Sequence, residues 1–68
     1  MSDILTDTSA GVLTITLNRV DKKNSITAAM YASMADALAQ AEADPAVRAV
    51  VFQGHETIFS AGNDIGDF

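Results

Sequence analysis

The residues with the clearest chemical potential lie in the last ten positions of the 68-residue chain, numbers 59–68, which read FSAGNDIGDF. The small-residue run Ser60-Ala61-Gly62 allows a ligand to come close to the backbone. The polar pair Asn63-Asp64 follows and is typical of a helix start, where free N–H groups and a positive partial charge attract anions. This stretch therefore predicts a site for an anion or a developing oxyanion.

Basic residues form the second candidate group. Arg19, Lys22 and Lys23 fall within five residues, and only Arg48 lies elsewhere. Such a cluster is either a solvated loop or an anion site, and the residues alone leave both interpretations open. The single histidine, His55, lies in a predicted loop with no nucleophile beside it, which favours an exposed side chain over a general base.

Composition excludes several classes of function. The net charge of −5, from nine acidic and four basic residues, argues against a broad nucleic-acid-binding face. Because there is no cysteine and only one histidine, we expect no disulfide framework and no metal site. No apolar run approaches the roughly 20 residues of a membrane span, and the N-terminus lacks the features of a signal peptide. We therefore expect no membrane partner and a cytoplasmic location.

The elements that must position these residues begin with a hairpin. Residues 4–8 and 12–18 are rich in β-forming types and flank a short turn that contains Gly11. In the second run Leu13, Ile15 and Leu17 alternate with residues of the opposite face, so one face should pack on a core.

A helix is predicted over residues 28–43, which are rich in Ala, Met and Leu. Thr27 is the expected N-cap, and the Asp-Pro pair at 44–45 should end the helix. The expected buried stripe consists of Met30, Met34, Leu38 and Ala41.

A third strand is predicted over residues 47–53, whose apolar run at 49–52 is typical of a covered, often parallel, sheet. A strand that follows a helix pairs in parallel through a right-handed crossover. The predicted order is β-β-α-β, followed by the start of another helix. One helix cannot cover such a sheet, so we expect residues 1–68 to be the N-terminal piece of one larger domain.

Four segments resemble, in order and spacing, the crotonase superfamily of enoyl-CoA hydratase/isomerase enzymes. They are GVLTITLNR at 11–19, KKNSIT at 22–27, RAVVFQG at 48–54 and FSAGNDI at 59–65. The resemblance implies an α/β fold of the crotonase type, a spiral of ββα units. The chain would hold only the N-terminal β-β-α-β segment and the start of the next helix. Assembly as a homotrimer or homohexamer is also implied.

The same resemblance implies an acyl-CoA thioester as substrate, with no separate cofactor because coenzyme A is part of that substrate. The backbone N–H of Asn63 would be one of two oxyanion-hole donors. The resemblance favours a structural role for Arg19 and for Asp64, and Glu56 and Asp67 are interpreted as solvated. Contacts with coenzyme A are implied for Lys22, Lys23, Asn24, Ser25, Ala61, Gly62, Asp64 and Ile65.

The reaction stays open within the family. Syn addition of water to a 2-enoyl-CoA is the first expectation. Isomerisation of a 3-enoyl-CoA is the second, because Asn63-Asp64 resembles a Gly-Asn-Asp-(Leu/Ile) variant seen in some isomerases and also in hydratases. The general acid and base and the second oxyanion donor of the family have no counterpart in this chain. A fragment that binds acyl-CoA or assembles without catalysis is therefore the alternative of another class.

Overall fold

A computed structural model describes residues 2–67, in which a β-hairpin extends into a three-stranded sheet of order β1-β2-β3. Strand β1 (Ile4–Ser9) pairs antiparallel with β2 (Val12–Leu17). The two residues between them, Ala10 and Gly11, have φ of 53° and 81°. Positive φ at both central positions is typical of a type I′ turn, whose twist matches that of the strands. The predicted hairpin is confirmed.

Helix α1 (Ala28–Ala43) has the predicted bounds and a double N-terminal cap. The Thr27 Oγ1 accepts a hydrogen bond from the Met30 N–H at 3.1 Å, as expected of an N-cap. A second acceptor comes from far along the chain, because the Ala28 N–H donates to Asp67 Oδ2 at 2.6 Å. Asp67 is exposed, in agreement with its interpretation as solvated, and its carboxylate in addition caps α1.

The core lies between α1 and the β1–β2 hairpin. The alternation predicted for β2 is confirmed, since its odd-numbered residues face α1 and are buried. Burial of one such large apolar side chain contributes about 1.5–3 kcal/mol. The buried apolar residues are Ile4, Leu13, Ile15, Leu17, Met30 and Met34.

The buried face of α1 is rotated from its predicted position. Met30 and Met34 are buried as expected, but Leu38 is 40% exposed. Ala41 packs against the core as expected, and Ala37 packs there in place of Leu38. At about 100° per residue, position 37 lies within about 20° of Met30 around the helix axis and position 38 about 80° away. The prediction that Leu38 belongs to the buried stripe is therefore wrong.

Strand β3 (Ala49–Gln53) pairs in parallel with β2, which confirms the predicted β-β-α-β order and parallel pairing. It begins two residues later than predicted, because the Val47 N–H is used in a turn that closes on Asp44 O at 3.0 Å. All five residues of β3 are exposed. Within residues 2–67 the expected cover of this strand is absent, because α1 packs mainly on β1 and β2.

The opening between α1 and β3 is an apolar groove of about 380 Å³, bordered by Leu38, Phe52 and Phe59 among others. After β3 the chain returns past the start of α1 and forms a single 3-10 turn at Ile65–Asp67, where the sequence predicted the start of a helix. Phe68 lies outside the described residues. Among residues 2–67 no helix is long and apolar enough to cross a membrane.

Candidate active site

Two distant loops meet to form the candidate site. The Ala61 N–H donates to Lys23 O at 3.1 Å, and the Ile26 N–H donates to Gly62 O at 2.8 Å. The Asp64 N–H returns a bond to Ile26 O at 2.9 Å. These bonds hold residues 61–64 beside residues 23–26 as a short parallel pairing.

The pairing leaves the Asn63 N–H directed away from Ile26. Gly62 C=O and Asn63 N–H belong to one trans peptide group, in which the C=O and N–H bonds point in opposite directions. Because the Gly62 C=O accepts from Ile26, the Asn63 N–H must face the other side. Within residues 2–67 this N–H has no hydrogen-bond acceptor. It is therefore a donor with its hydrogen available.

A buried asparagine side chain fastens the two loops together. Asn24 is fully buried, and its Oδ1 accepts from the Arg19 N–H at 2.7 Å. Its Nδ2 donates to Phe59 O at 3.2 Å, and its backbone carbonyl accepts from Ser60 Oγ at 2.8 Å. Asn24 also has a φ of 56°, a left-handed conformation that asparagine tolerates better than most residues. Its side chain is thus structural and unavailable to a ligand.

An ion pair also joins the two loops at the junction, the region where residues 61–64 lie beside residues 23–26. Arg19 Nη1 donates to Asp64 Oδ2 at 2.7 Å, and to both the backbone oxygen and Oγ of Ser25 at 3.1 and 3.0 Å. Asp64 Oδ1 accepts from the Gly66 N–H at 3.0 Å. The hydrogen bond from Arg19 lowers the pKa of Asp64 below its ordinary value, and the same bond raises the pKa of Arg19. These contacts agree with the structural roles expected of both residues.

An open cavity of about 650 Å³ lies beside this junction. Positive charge comes from Arg19 and Lys22, and negative charge from Asp64 and Asp67. Ile65 presents an apolar side chain that is 89% exposed. The cavity brings together six of the nine site residues proposed from the sequence, namely Lys22, Ser25, Ala61, Asn63, Asp64 and Ile65.

The other three proposed residues lie at the junction but outside the cavity lining. Asn24 is internal, and Lys23 is exposed and uses its carbonyl to hold Ala61. Gly62 has a φ of 97°, and nothing stands within 4 Å of the place that a Cβ would occupy. Glycine is thus required there by backbone conformation, and the space beside it is open.

Sequence reasoning missed two side chains at this site. Tyr31 Oη donates to Asn63 Oδ1 at 2.6 Å, a contact for which residue spacing carries no signal. Ser60 Oγ accepts from the Gly62 N–H at 3.0 Å, a local serine turn that a serine two residues before a glycine could have indicated.

The remaining candidates for chemistry stay apart from the site. His55 is exposed, and its Nδ1 lies 2.9 Å from Thr57 Oγ1, in agreement with a surface loop. Among residues 2–67 no three His, Asp or Glu side chains are close enough together to hold a metal ion.

Comparison with known proteins gives a consistent assignment. Residues 7–68 match the sequence profile described as enoyl-CoA hydratase/isomerase. The chain is 39% identical to 1,2-epoxyphenylacetyl-CoA isomerase of Escherichia coli over 98% of its own length and 26% of that protein. It is 42% identical to enoyl-CoA delta isomerase 2 of Rattus norvegicus over 96% of its length and 16% of that protein.

A solved structure shows the same arrangement. The structure of Pseudomonas aeruginosa OdaA superposes with a TM-score of 0.94 at 48% identity, over 98% of this chain and 27% of that chain. Because the identity is 48%, this chain is similar to that structure in sequence as well as in fold. The chain thus spans about a quarter or less of the length of these three proteins.

Proposed function

Because the chain belongs to the enoyl-CoA hydratase/isomerase family, we propose that it is the N-terminal part of one larger enzyme domain that acts on acyl-CoA thioesters. We refer to that larger protein as the full-length protein. The observation that carries the proposal is the Asn63 N–H, which has no acceptor within residues 2–67 although its own peptide group is held by Ile26.

In this proposal the Asn63 N–H donates to the thioester carbonyl oxygen and is one of two oxyanion-hole donors. As the carbonyl becomes enolate-like, negative charge grows on that oxygen and the hydrogen bond strengthens. Loss of one such donor typically lowers kcat by roughly 10²–10³-fold. The backbone supplies the donor, so the identity of the Asn63 side chain is not itself required by the chemistry.

Coenzyme A would approach along the cavity beside the junction. Lys22 supplies a positive charge at the cavity for the phosphates, and Ser25 and Ala61 form the wall near the junction. The exposed Ile65 side chain offers an apolar surface, and the missing Cβ of Gly62 leaves room for close approach. No separate cofactor is needed, and we propose a homotrimer or homohexamer in the cytoplasm.

Hydration is the first reaction we propose. Hydroxide from water bonds to C3 of a 2-enoyl-CoA, the C2=C3 electron pair moves to form the enolate, and a proton adds to C2. The Asn63 N–H stabilises that enolate. Asp64 is committed to Arg19, so the proposal assigns the general acid and base to parts of the full-length protein beyond residues 1–68.

Isomerisation of a 3-enoyl-CoA is the second candidate. Both relatives compared above are named as isomerases, and the one from Rattus norvegicus is an enoyl-CoA delta isomerase. Both reactions pass through charge on the same thioester oxygen, so the Asn63 N–H serves either one.

The test uses the full-length protein with a 2-enoyl-CoA and, separately, with a 3-enoyl-CoA. Hydration removes the ultraviolet absorbance of the conjugated thioester, whereas isomerisation of the 3-enoyl substrate creates it. Tight binding of acyl-CoA without either change would support the non-catalytic alternative. If acyl-CoA does not bind, the proposal is wrong.

Coenzyme A contact is tested by paired substitutions. Lys22→Ala should weaken binding of coenzyme A by about 1.4–5-fold, the size of one exposed charge interaction. Lys23→Ala is the matched control and should change binding little, because Lys23 lies outside the cavity lining. Equal losses for the two variants would contradict the placement of the phosphates beside Lys22.

A further inference from the structure

Tyr31 forms a long-range contact with the residue that carries the candidate oxyanion donor. Its Oη donates to Asn63 Oδ1 at 2.6 Å, across a separation of 32 residues in the chain. Tyr31 lies in the first turn of α1, where its N–H donates to Thr27 O at 3.1 Å. The preceding residue, Met30, is 1% exposed in the core. The tyrosine backbone is therefore anchored in α1 directly beside a residue of the packed core.

The peptide group between Gly62 and Asn63 needs such an anchor. Ile26 holds its carbonyl oxygen, but a single hydrogen bond leaves the peptide plane able to pivot about the bond. Gly62 adds freedom because it has no Cβ and a φ of 97°. The Tyr31 contact fastens the other end of the group, through the Asn63 side chain.

We propose that Tyr31 is a positioning residue for the oxyanion donor: its hydroxyl holds the Asn63 side chain, and so fixes the direction of the Asn63 N–H. This inference rests on the proposed function. It gives the Asn63 side chain a task that the chemistry alone does not require, namely to accept the Tyr31 hydroxyl. A donor that rotates away from the substrate oxygen lowers the reaction rate more than it lowers substrate affinity.

The test is Tyr31→Phe in the full-length protein, which removes only the hydroxyl. We expect kcat to fall about 2–10-fold, the range for one neutral hydrogen bond, with KM within about twofold of its original value. Asn63→Ala should have a similar effect, and the double variant should be no worse than either single variant, since all three lack the Tyr31–Asn63 hydrogen bond. Leu38→Ala is the matched control on the same helix and should lower stability while kcat is kept.

A readout besides turnover separates this inference from the proposed function. Tyr31→Phe should accelerate amide hydrogen exchange in residues 61–64, while exchange in β2 stays unchanged. If exchange in residues 61–64 is faster but the protein transforms no enoyl-CoA, the Tyr31–Asn63 contact is supported and the proposed function is wrong. Unchanged exchange with unchanged kcat, or effects of the two single variants that add in the double variant, would overturn the inference.

Discussion

Asn24 provides the sharpest test of how the two loops are joined. Its fully buried side chain bonds the Arg19 N–H at 2.7 Å and the Phe59 carbonyl at 3.2 Å. Asn24→Gly removes both bonds and keeps a residue that accepts the positive φ of 56°. Asn24→Ala removes the same bonds and also places an alanine in a left-handed conformation.

The magnitude follows from the groups left without partners. Each unsatisfied polar group costs about 1–3 kcal/mol, and both partners here are partly accessible to water, so the lower half of that range applies to each. We expect Asn24→Gly to lower the free energy of unfolding by about 3 kcal/mol in all. For a domain of 150–250 residues this corresponds to a fall in Tm of roughly 6–12 °C. Asn24→Ala should cost about 1 kcal/mol more, because of its positive φ.

Thermal unfolding of the full-length protein, followed by circular dichroism, measures both variants. Lys23→Gly is the matched control: Lys23 has nearly the same φ, 55°, but its side chain is exposed, so Tm should move by no more than roughly 2–4 °C. If Asn24→Gly leaves Tm unchanged while Asn24→Ala lowers it, backbone strain alone matters and the hydrogen-bond reasoning is refuted.

Three further predictions concern the Arg19–Asp64 ion pair, the buried face of α1 and the open groove between α1 and β3. The pKa of Asp64 is lowered in the folded state, so the bond to Arg19 stabilises the protein above the unfolded value near 4 and is lost as pH falls through the folded pKa. Asp64→Asn should therefore lower Tm at pH 7, and the difference from the unaltered protein should shrink as the pH falls from about 4 through the lowered pKa of Asp64. Met30→Ala should cost about 2–5 kcal/mol in urea unfolding, and Leu38→Ala less than half as much, because Leu38 is 40% exposed. Equal costs would contradict the observed rotation of α1. The 68-residue chain expressed alone should be inactive. It should also bind a hydrophobic dye such as ANS, because the groove between α1 and β3 is open. A sharp thermal transition without dye binding would show that the groove needs no cover.

The order of the elements and most of their bounds follow from local patterns in the sequence. Alternation in β2, the cap at Thr27 and the Ala-rich run of α1 are local signals, and each depends only on residues a few positions apart. Local signals are less reliable for predicting which side of α1 is buried. Leu38 matches the apolar pattern, yet the direction in which the helix meets the sheet placed Ala37, and not Leu38, against the core.

The way in which the Asn63 N–H is held depends on contacts between distant parts of the chain. The Asn24, Tyr31 and Arg19 contacts join residues 32 to 45 positions apart, and no local periodicity relates such positions. The FSAGNDI motif indicates that the Asn63 N–H could act as a donor. The fold brings the groups that form hydrogen bonds with the residues on either side of it. An N–H stays without an acceptor only if every nearby acceptor lies elsewhere, and the positions of those acceptors depend on how the whole junction packs.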